Sequence, residues 1–217
     1  MVVIVSSLLF LPLDTLKVEK VFDASGIEAL IVAVANGDVN LTGWEKNEIK
    51  VVAYEIYPEG KASQKARMVM EKRGKEIVIK EEKPGVNNSG VNFFVYVPSL
   101  SSFSISTVNG DVECKGINGA VNISVTNGDV EFKEIEGSLS VSSTNGDVSG
   151  LVDERIDSLC VSTVNGDIYL RVKTENPWIL VDNVSGEIIS DFPYNGKERG
   201  SPKLVISTTN GDVKIEK

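Results

Sequence analysis

Histidine is absent from the 217 residues. That removes the side chain most used as a general base near neutral pH, and the commonest metal ligand. Catalysis would have to run on carboxylates, Lys or Tyr alone. Lys and Arg are scarce relative to acid: 22 against 31 Asp and Glu, a net charge of -9. A phosphate backbone needs clustered cations, so a nucleic-acid partner is not expected. Only two cysteines occur, Cys114 and Cys160. They stand about two repeat units apart, roughly 10 Å at a strand spacing of ~4.8 Å, beyond the ~7 Å between Cα atoms that a disulfide tolerates. Both are read as small buried apolar residues.

A membrane-spanning run is also missing. The strongly apolar stretch Met1 to Leu13 is shorter than the ~20 residues a helical span requires. It lacks the basic n-region and the small-residue cleavage site of a good signal peptide. Two readings stay open. It is the stump of a signal anchor and so a membrane tether, or Val2-Val3-Ile4-Val5 form a first strand over one end of the core.

What the chain has is repetition, which takes precedence over other signals. Asn-Gly-Asp occurs at Asn36, Asn109, Asn127, Asn145, Asn165 and Asn210, and Ser185-Gly186-Glu187 is a degraded seventh copy. From Asn109 onward the spacings are 18, 18, 20, 20 and 25 residues. Six positions before the Asn stand Leu30, Phe103, Val121, Leu139, Leu159, Ile179 and Leu204. Four before it stand Val32, Ile105, Ile123, Val141, Val161, Val181 and Ile206. Three after it stand Val39, Val112, Val130, Val148, Ile168, Ile188 and Val213. Apolar residues at period two mark strands with one buried face. Asn-Gly supplies the unusual backbone angles of a tight reversal.

One unit of 18 residues cannot bury its apolar side, whereas stacked units bury a continuous core. An antiparallel meander would also use Asn-Gly turns, but it needs a second turn of equal regularity. Asp153 to Ser158 and Tyr194 to Pro202 supply none. The fold class expected is therefore all-β: a parallel β-solenoid with coils of 18–25 residues, right-handed as parallel crossovers usually are.

Three segments follow: residues 1–16 as leader or anchor remnant, 17–100 as a first coil plus an inserted lobe capping the stack, and 101–217 as the main repeats. Within the lobe, Glu48 to Tyr57, Lys75 to Glu81 and Val91 to Val97 alternate as strands. Ala62 to Lys72 is predicted to be a helix from its composition.

The units, with Phe22-Asp23-Ala24-Ser25-Gly26-Ile27 at the start, Leu41-Thr42-Gly43-Trp44 after the first copy and Val95-Tyr96-Val97-Pro98 before the second, resemble the "putative adhesin" family of bacterial and archaeal β-strand-repeat proteins. The resemblance runs from about Val21 to Lys217. It implies a β-solenoid outside the cytoplasm, often tethered behind a membrane segment, and it carries over no active site.

The acidic column Asp111, Asp129, Asp147, Asp167, Glu187 and Asp212 has two readings. Either each carboxylate accepts backbone N–H bonds at its own corner, or neighbouring pairs share cations. Carboxylates ~5 Å apart repel by roughly 3 kcal/mol at an effective dielectric of 20, so one form of compensation is required. The first is adopted, and no catalytic, cofactor-binding or metal-binding residue is assigned. Thr107, Thr163 and Thr208 are read as a surface hydroxyl column. Trp44 and Trp178 could stack on sugars, but capping or packing is preferred.

The function expected is a non-enzymatic structural or interaction module of the cell envelope, extracytoplasmic, whose partner is an unknown envelope protein or glycan. The alternatives are the sensor domain of an envelope-stress system and, more distantly, a carbohydrate-active β-helix enzyme.

The columns make a direct prediction. Val141 should lie between Ile123 and Val161, so Val141→Asp buries an unpaired carboxylate and should cost at least several kcal/mol. Ser142→Asp, one residue on, should be tolerated. Urea denaturation of both variants checks this, and equal losses would refute the column assignment.

Overall fold

The computed structural model describes residues 13–58, 66–83, 89–196 and 200–217. Every regular element among them is a β-strand, and none is a helix long and apolar enough to cross a membrane. The first seven strands are β1 (Leu13–Asp23), β2 (Ala29–Asn36), β3 (Val39–Gly43), β4 (Glu48–Pro58), β5 (Arg67–Arg73), β6 (Glu76–Lys83) and β7 (Gly90–Val97). Two-strand coils follow: β8 (Ser102–Asn109) with β9 (Val112–Lys115), β10 (Ala120–Asn127) with β11 (Val130–Lys133), and β12 (Gly137–Asn145) with β13 (Val148–Val152). The rest are β14 (Ile156–Asn165) with β15 (Ile168–Val172), β16 (Trp178–Ser185) with β17 (Ile188–Ser190), and β18 (Lys203–Asn210) with β19 (Val213–Glu216).

Each two-strand coil from β8 onward crosses from one sheet to the other through its Asn-Gly-Asp corner, or through Ser185-Gly186-Glu187 between β16 and β17. One sheet runs β1-β4-β7-β3-β9-β11-β13-β15-β19-β17, the other β16-β18-β14-β12-β10-β8-β2-β6-β5. From β3 and β2 onward every pairing is parallel. Copies pair without slippage at the corner: Val141 lies between Ile123 and Val161, and Asn127 between Asn109 and Asn145. A meander is thereby excluded.

The three apolar columns fill the space between the sheets. Leu30, Phe103, Val141, Val148 and Leu204 are all at most 2% exposed. Only Ile188, on the terminal coil, is half-buried. Each such side chain contributes roughly 1.5–3 kcal/mol through burial. No single coil holds enough of them to stand alone.

At both ends the stack departs from chain order. β6 and β7 form a coil outside β2 and β3, pairing parallel with them. β4 then adds antiparallel to β7, β1 to β4, and β5 to β6. At the other end the last coil in sequence, β18–β19, sits inside the one before it, β16–β17. The degraded copy with Ser185 thus takes the terminal place. Its free edge is partly covered by Asn195, which mimics a strand residue. The Asn195 amide donates to the Ile179 carbonyl (2.9 Å), its Oδ1 accepts from the Val181 amide (2.8 Å), and its Nδ2 donates to the Val181 carbonyl (2.9 Å). An uncovered edge would invite pairing with another chain.

Two local expectations are corrected. The helix over Ala62 to Lys72 is not formed where the structure describes it: Arg67–Arg73 is a strand paired with Glu76–Lys83, and residues 62–65 lie outside the described residues. Helix propensity is a weak preference, and the unpaired edge of β6 offers seven residues a full ladder with Met70 turned into the core. Cys160 is exposed. It stands between inward-facing Leu159 and Val161, so strand alternation turns it outward whatever its usual preference. Cys114 is buried, and burial pushes its thiol up to about 12. The apolar segment ending at Leu13, with its proposed strand Val2–Val5, falls outside the described residues except for Leu13 itself.

The corner glycines are fixed by space. A Cβ on Gly128 would lie 2.1 Å from the Gly110 carbonyl oxygen, at a φ of 150°. Gly128→Ala should therefore cost about 3 kcal/mol or more. Gly196→Ala, where a Cβ would meet nothing within 4 Å, should stay within about 0.5 kcal/mol. Comparing the urea midpoints of the two variants tests this.

Candidate functional site

The Asn-Gly-Asp corner is the place the repeats bring most chemistry together. Three hydrogen-bond ladders run along it. In the first, each Asn Nδ2 donates to the Oδ1 of the Asn one coil back, at 2.8 Å from Asn109 onto Asn36 through to Asn210 onto Asn165. In the second, each Asp amide donates to the carboxylate of the Asp one coil back: Asp111 to Asp38 (3.0 Å), Asp129 to Asp111, Asp147 to Asp129 and Asp167 to Asp147 (2.8 Å each), and Asp212 to Asp167 (2.7 Å). Glu187 closes the series by donating to Asp212 (2.8 Å). In the third, the Gly amides donate the opposite way, to the Asn carbonyl one coil on.

The carboxylates are therefore engaged between coils rather than each at its own corner, which corrects the expected local turn bond. Non-repeat residues close the near end. Asn92 Oδ1 takes the place of a preceding Asp by accepting the Asp38 amide at 3.0 Å. One Glu81 oxygen accepts the amides of Ala35 (2.7 Å) and Asn36 (3.1 Å).

Asp111 and Asp129 of the acidic column, with Asp38, Glu113 and Glu131, border an open trough of about 420 Å³. Among the described residues, no group of three or more acids and cysteines is arranged to hold a metal ion. The expected surface column Thr107, Thr163 and Thr208 is buried, each residue 3% exposed. Period two carries the inward face on to this position. The hydroxyls of Thr107, Thr163 and Thr208 donate to corner carbonyls of Gly37, Gly146 and Gly166 at 3.3–3.4 Å. The outward hydroxyl column is Ser106, Ser124 and Ser142.

A second site was not foreseen as a unit. On the outer face of the ten-stranded sheet, the register sets Lys50 beside Tyr96, Val52 beside Phe94, Lys17 beside Tyr54 and Glu19 beside Val52. Trp44, just after β3, completes the group. These side chains line a groove of about 460 Å³. The Trp44 indole is pinned by a bond from its Nε1 to the Glu48 carbonyl (2.8 Å), and its ring lies 5.4 Å from that of Tyr96. Tyr54 meets Phe94 edge-on, centroids 5.7 Å apart. Lys46 covers Trp44 at 4.8 Å.

Along the rim, Lys50 contacts one Glu19 oxygen at 2.8 Å and Lys17 the other at 3.4 Å. The hydrogen bond from Lys50 holds the Glu19 carboxyl below the usual range, and Glu19 in turn holds Lys50 above its own. Trp44 was a candidate on sequence; its companions belong to strands paired across long gaps. The available signal was Phe93-Phe94-Val95-Tyr96, which places aromatics on both faces of one strand. Trp178 lies away from this group, under Lys203 at 4.6 Å.

The ladder engages the acidic column in bonds to backbone amides, and a structural role for it has a measurable consequence. Thermal melts in millimolar Ca²⁺ and in chelator should agree apart from charge screening. Asp129→Asn keeps an oxygen for the Asp147 amide and should change little, whereas Asp129→Ala should cost about 1 kcal/mol. A Ca²⁺-specific rise, absent in equal ionic strength of Na⁺ and lost in Asp129→Asn/Asp147→Asn, would make the trough a cation site instead.

Comparisons with known proteins agree with this architecture. No curated protein matches the chain. A solved structure from Clostridium sporogenes, named a "putative cell adhesion protein", is 16% identical and superposes with a TM-score of 0.59, covering 92% of this chain and 98% of that one. At that identity the likeness is one of fold. A "putative adhesin" from Bacteroides fragilis is 15% identical, with a TM-score of 0.48 over 92% of this chain and 96% of its own. The sequence profile of the Toastrack DUF4097 family matches residues 17–216. The chain belongs to the Toastrack DUF4097 family.

Proposed function

We propose that this protein is a non-enzymatic module of the cell envelope, held outside the cytoplasm, that works by presenting a rigid repeated surface to an envelope protein or glycan. The observation that supports it most is the use made of the repeated polar groups. Asn and Asp at each corner are engaged in coil-to-coil bonds, so the repeated chemistry builds the scaffold and leaves binding to the outward faces. A structure similar in fold is named for cell adhesion, in keeping with a surface role. In this reading residues 17–100 close one end of the stack, residues 101–217 form the regular face, and the coils wind right-handed, the sense parallel crossovers favour.

The test is where the native product resides. It should fractionate with the envelope and be cleaved by protease added to intact cells. In addition, the purified chain should bind isolated envelopes saturably. A product confined to the soluble cytoplasm, with no binding to envelopes, would overturn the reading.

A further inference from the structure

We infer that the aromatic groove on β4 and β7 is a binding site for an anionic glycan, with Trp44, Tyr96, Phe94 and Tyr54 taking the faces of pyranose rings and Lys17 and Lys50 taking a carboxylate of the sugar. This deepens the envelope reading above and rests on it.

The first observation is where the aromatic side chains lie. Along the repeats, the outer face of this sheet carries Glu113, Lys115, Glu131 and Lys133, then Leu151, Tyr169 and Arg171, a mostly charged surface with one isolated aromatic ring. Among the described residues, only at β4, β7 and Trp44 does it turn to four neighbouring aromatic rings lining one groove. They are amphipathic where it matters: Trp and Tyr offer an apolar face with a polar tip, the composition of sites that hold a ligand by stacking and orient it by a few polar contacts. The platform is also rigid, because Trp44 is pinned to the Glu48 carbonyl and braced by Tyr96.

The second observation is charge. Glu19 is shared by two ammonium groups, Lys50 at 2.8 Å and Lys17 at 3.4 Å, and Lys46 beside Trp44 pairs with Glu48 at 3.9 Å, so among the described residues the rim sets three ammonium groups against two carboxylates. In a chain of net charge -9, whose neighbouring trough is lined by Asp38, Asp111, Glu113, Asp129 and Glu131, that is a local reversal of sign. An acidic ligand is drawn to this groove and repelled by the next. A glycan suits it better than a protein surface. Hydroxyl groups can bond the remaining lone pairs of Glu19 without stripping the ion pairs of solvent, whereas a flat protein contact would bury them at a penalty.

The experiment is native affinity electrophoresis of the full chain through gels containing polygalacturonate, alginate or neutral dextran, run beside the envelope-binding assay. The expected result is retardation by a uronate polymer and not by dextran, weakened by salt. Tyr96→Ala should weaken it about tenfold. Lys17→Gln, which removes the surplus charge but keeps the Glu19–Lys50 pair, should weaken it in uronate gels and leave the urea midpoint unchanged. Lys214→Gln, at the far end of the same sheet, should have no effect.

Equal retardation by dextran, or an equal loss with Lys214→Gln, would overturn the assignment to this groove. Absence of retardation by either uronate polymer, while envelope binding persists unchanged in Tyr96→Ala, would overturn the glycan site and leave the envelope reading standing. Absence of both would overturn the two together.

Discussion

Stacked strands lie about 4.8 Å apart, and at the Asn-Gly-Asp corner that distance leaves no room for a side chain on the middle residue. The Cβ positions of Gly110, Gly128, Gly146, Gly166 and Gly211 fall 2.0–2.1 Å from the carbonyl oxygen of the glycine one coil back. Everything else at the corner follows. With the backbones that close, the residue before can reach its counterpart amide to carbonyl, and the residue after can reach a backbone amide with its carboxylate. The ladders exist because the glycines let the coils approach. The apolar columns behind them fill the space that this approach encloses.

Much of this was legible in the sequence because a repeat shows each requirement several times over. Three invariant apolar columns fixed which strand faces point inward, and Val141 lies where its column put it. The parity of a strand also settled residues that were misjudged. Thr107 and Cys160 were read by residue type, Thr as surface and Cys as core, and the structure reverses both. In each case the position relative to the Asn outweighs the preference of the side chain. The corner bonds were half legible. That Asp would accept backbone amides was foreseen, but the donor stands in the next coil and not in its own turn.

The ends and the groove were hidden for a different reason. Tyr54 meets Phe94 and Tyr96 only through the pairing of β4 with β7, and Trp44 joins them from the end of β3, which pairs with the other side of β7; a single sequence with no internal copies of β4 and β7 gives no register. The segment around Met68 and Met70 shows the same limit: its composition favours a helix, and the edge of β6 makes it a strand. The same absence of repetition gives this end of the molecule a surface unlike the rest, so the least regular part of the chain carries its most distinctive side chains.

The exchanged order of the last two coils bears on how the chain is made. The coil of β16 and β17 leaves the ribosome before that of β18 and β19, yet in the finished fold it rests on the later one. Its counterpart surface does not exist until Glu216 has been synthesised. The stack follows chain order from β8 to β15, and the fourteen residues from β18 to β19 (Lys203–Glu216) then lie between that stack and the earlier coil β16–β17. A nascent chain that stalls after Ser190 therefore lacks an internal floor of the building rather than its roof.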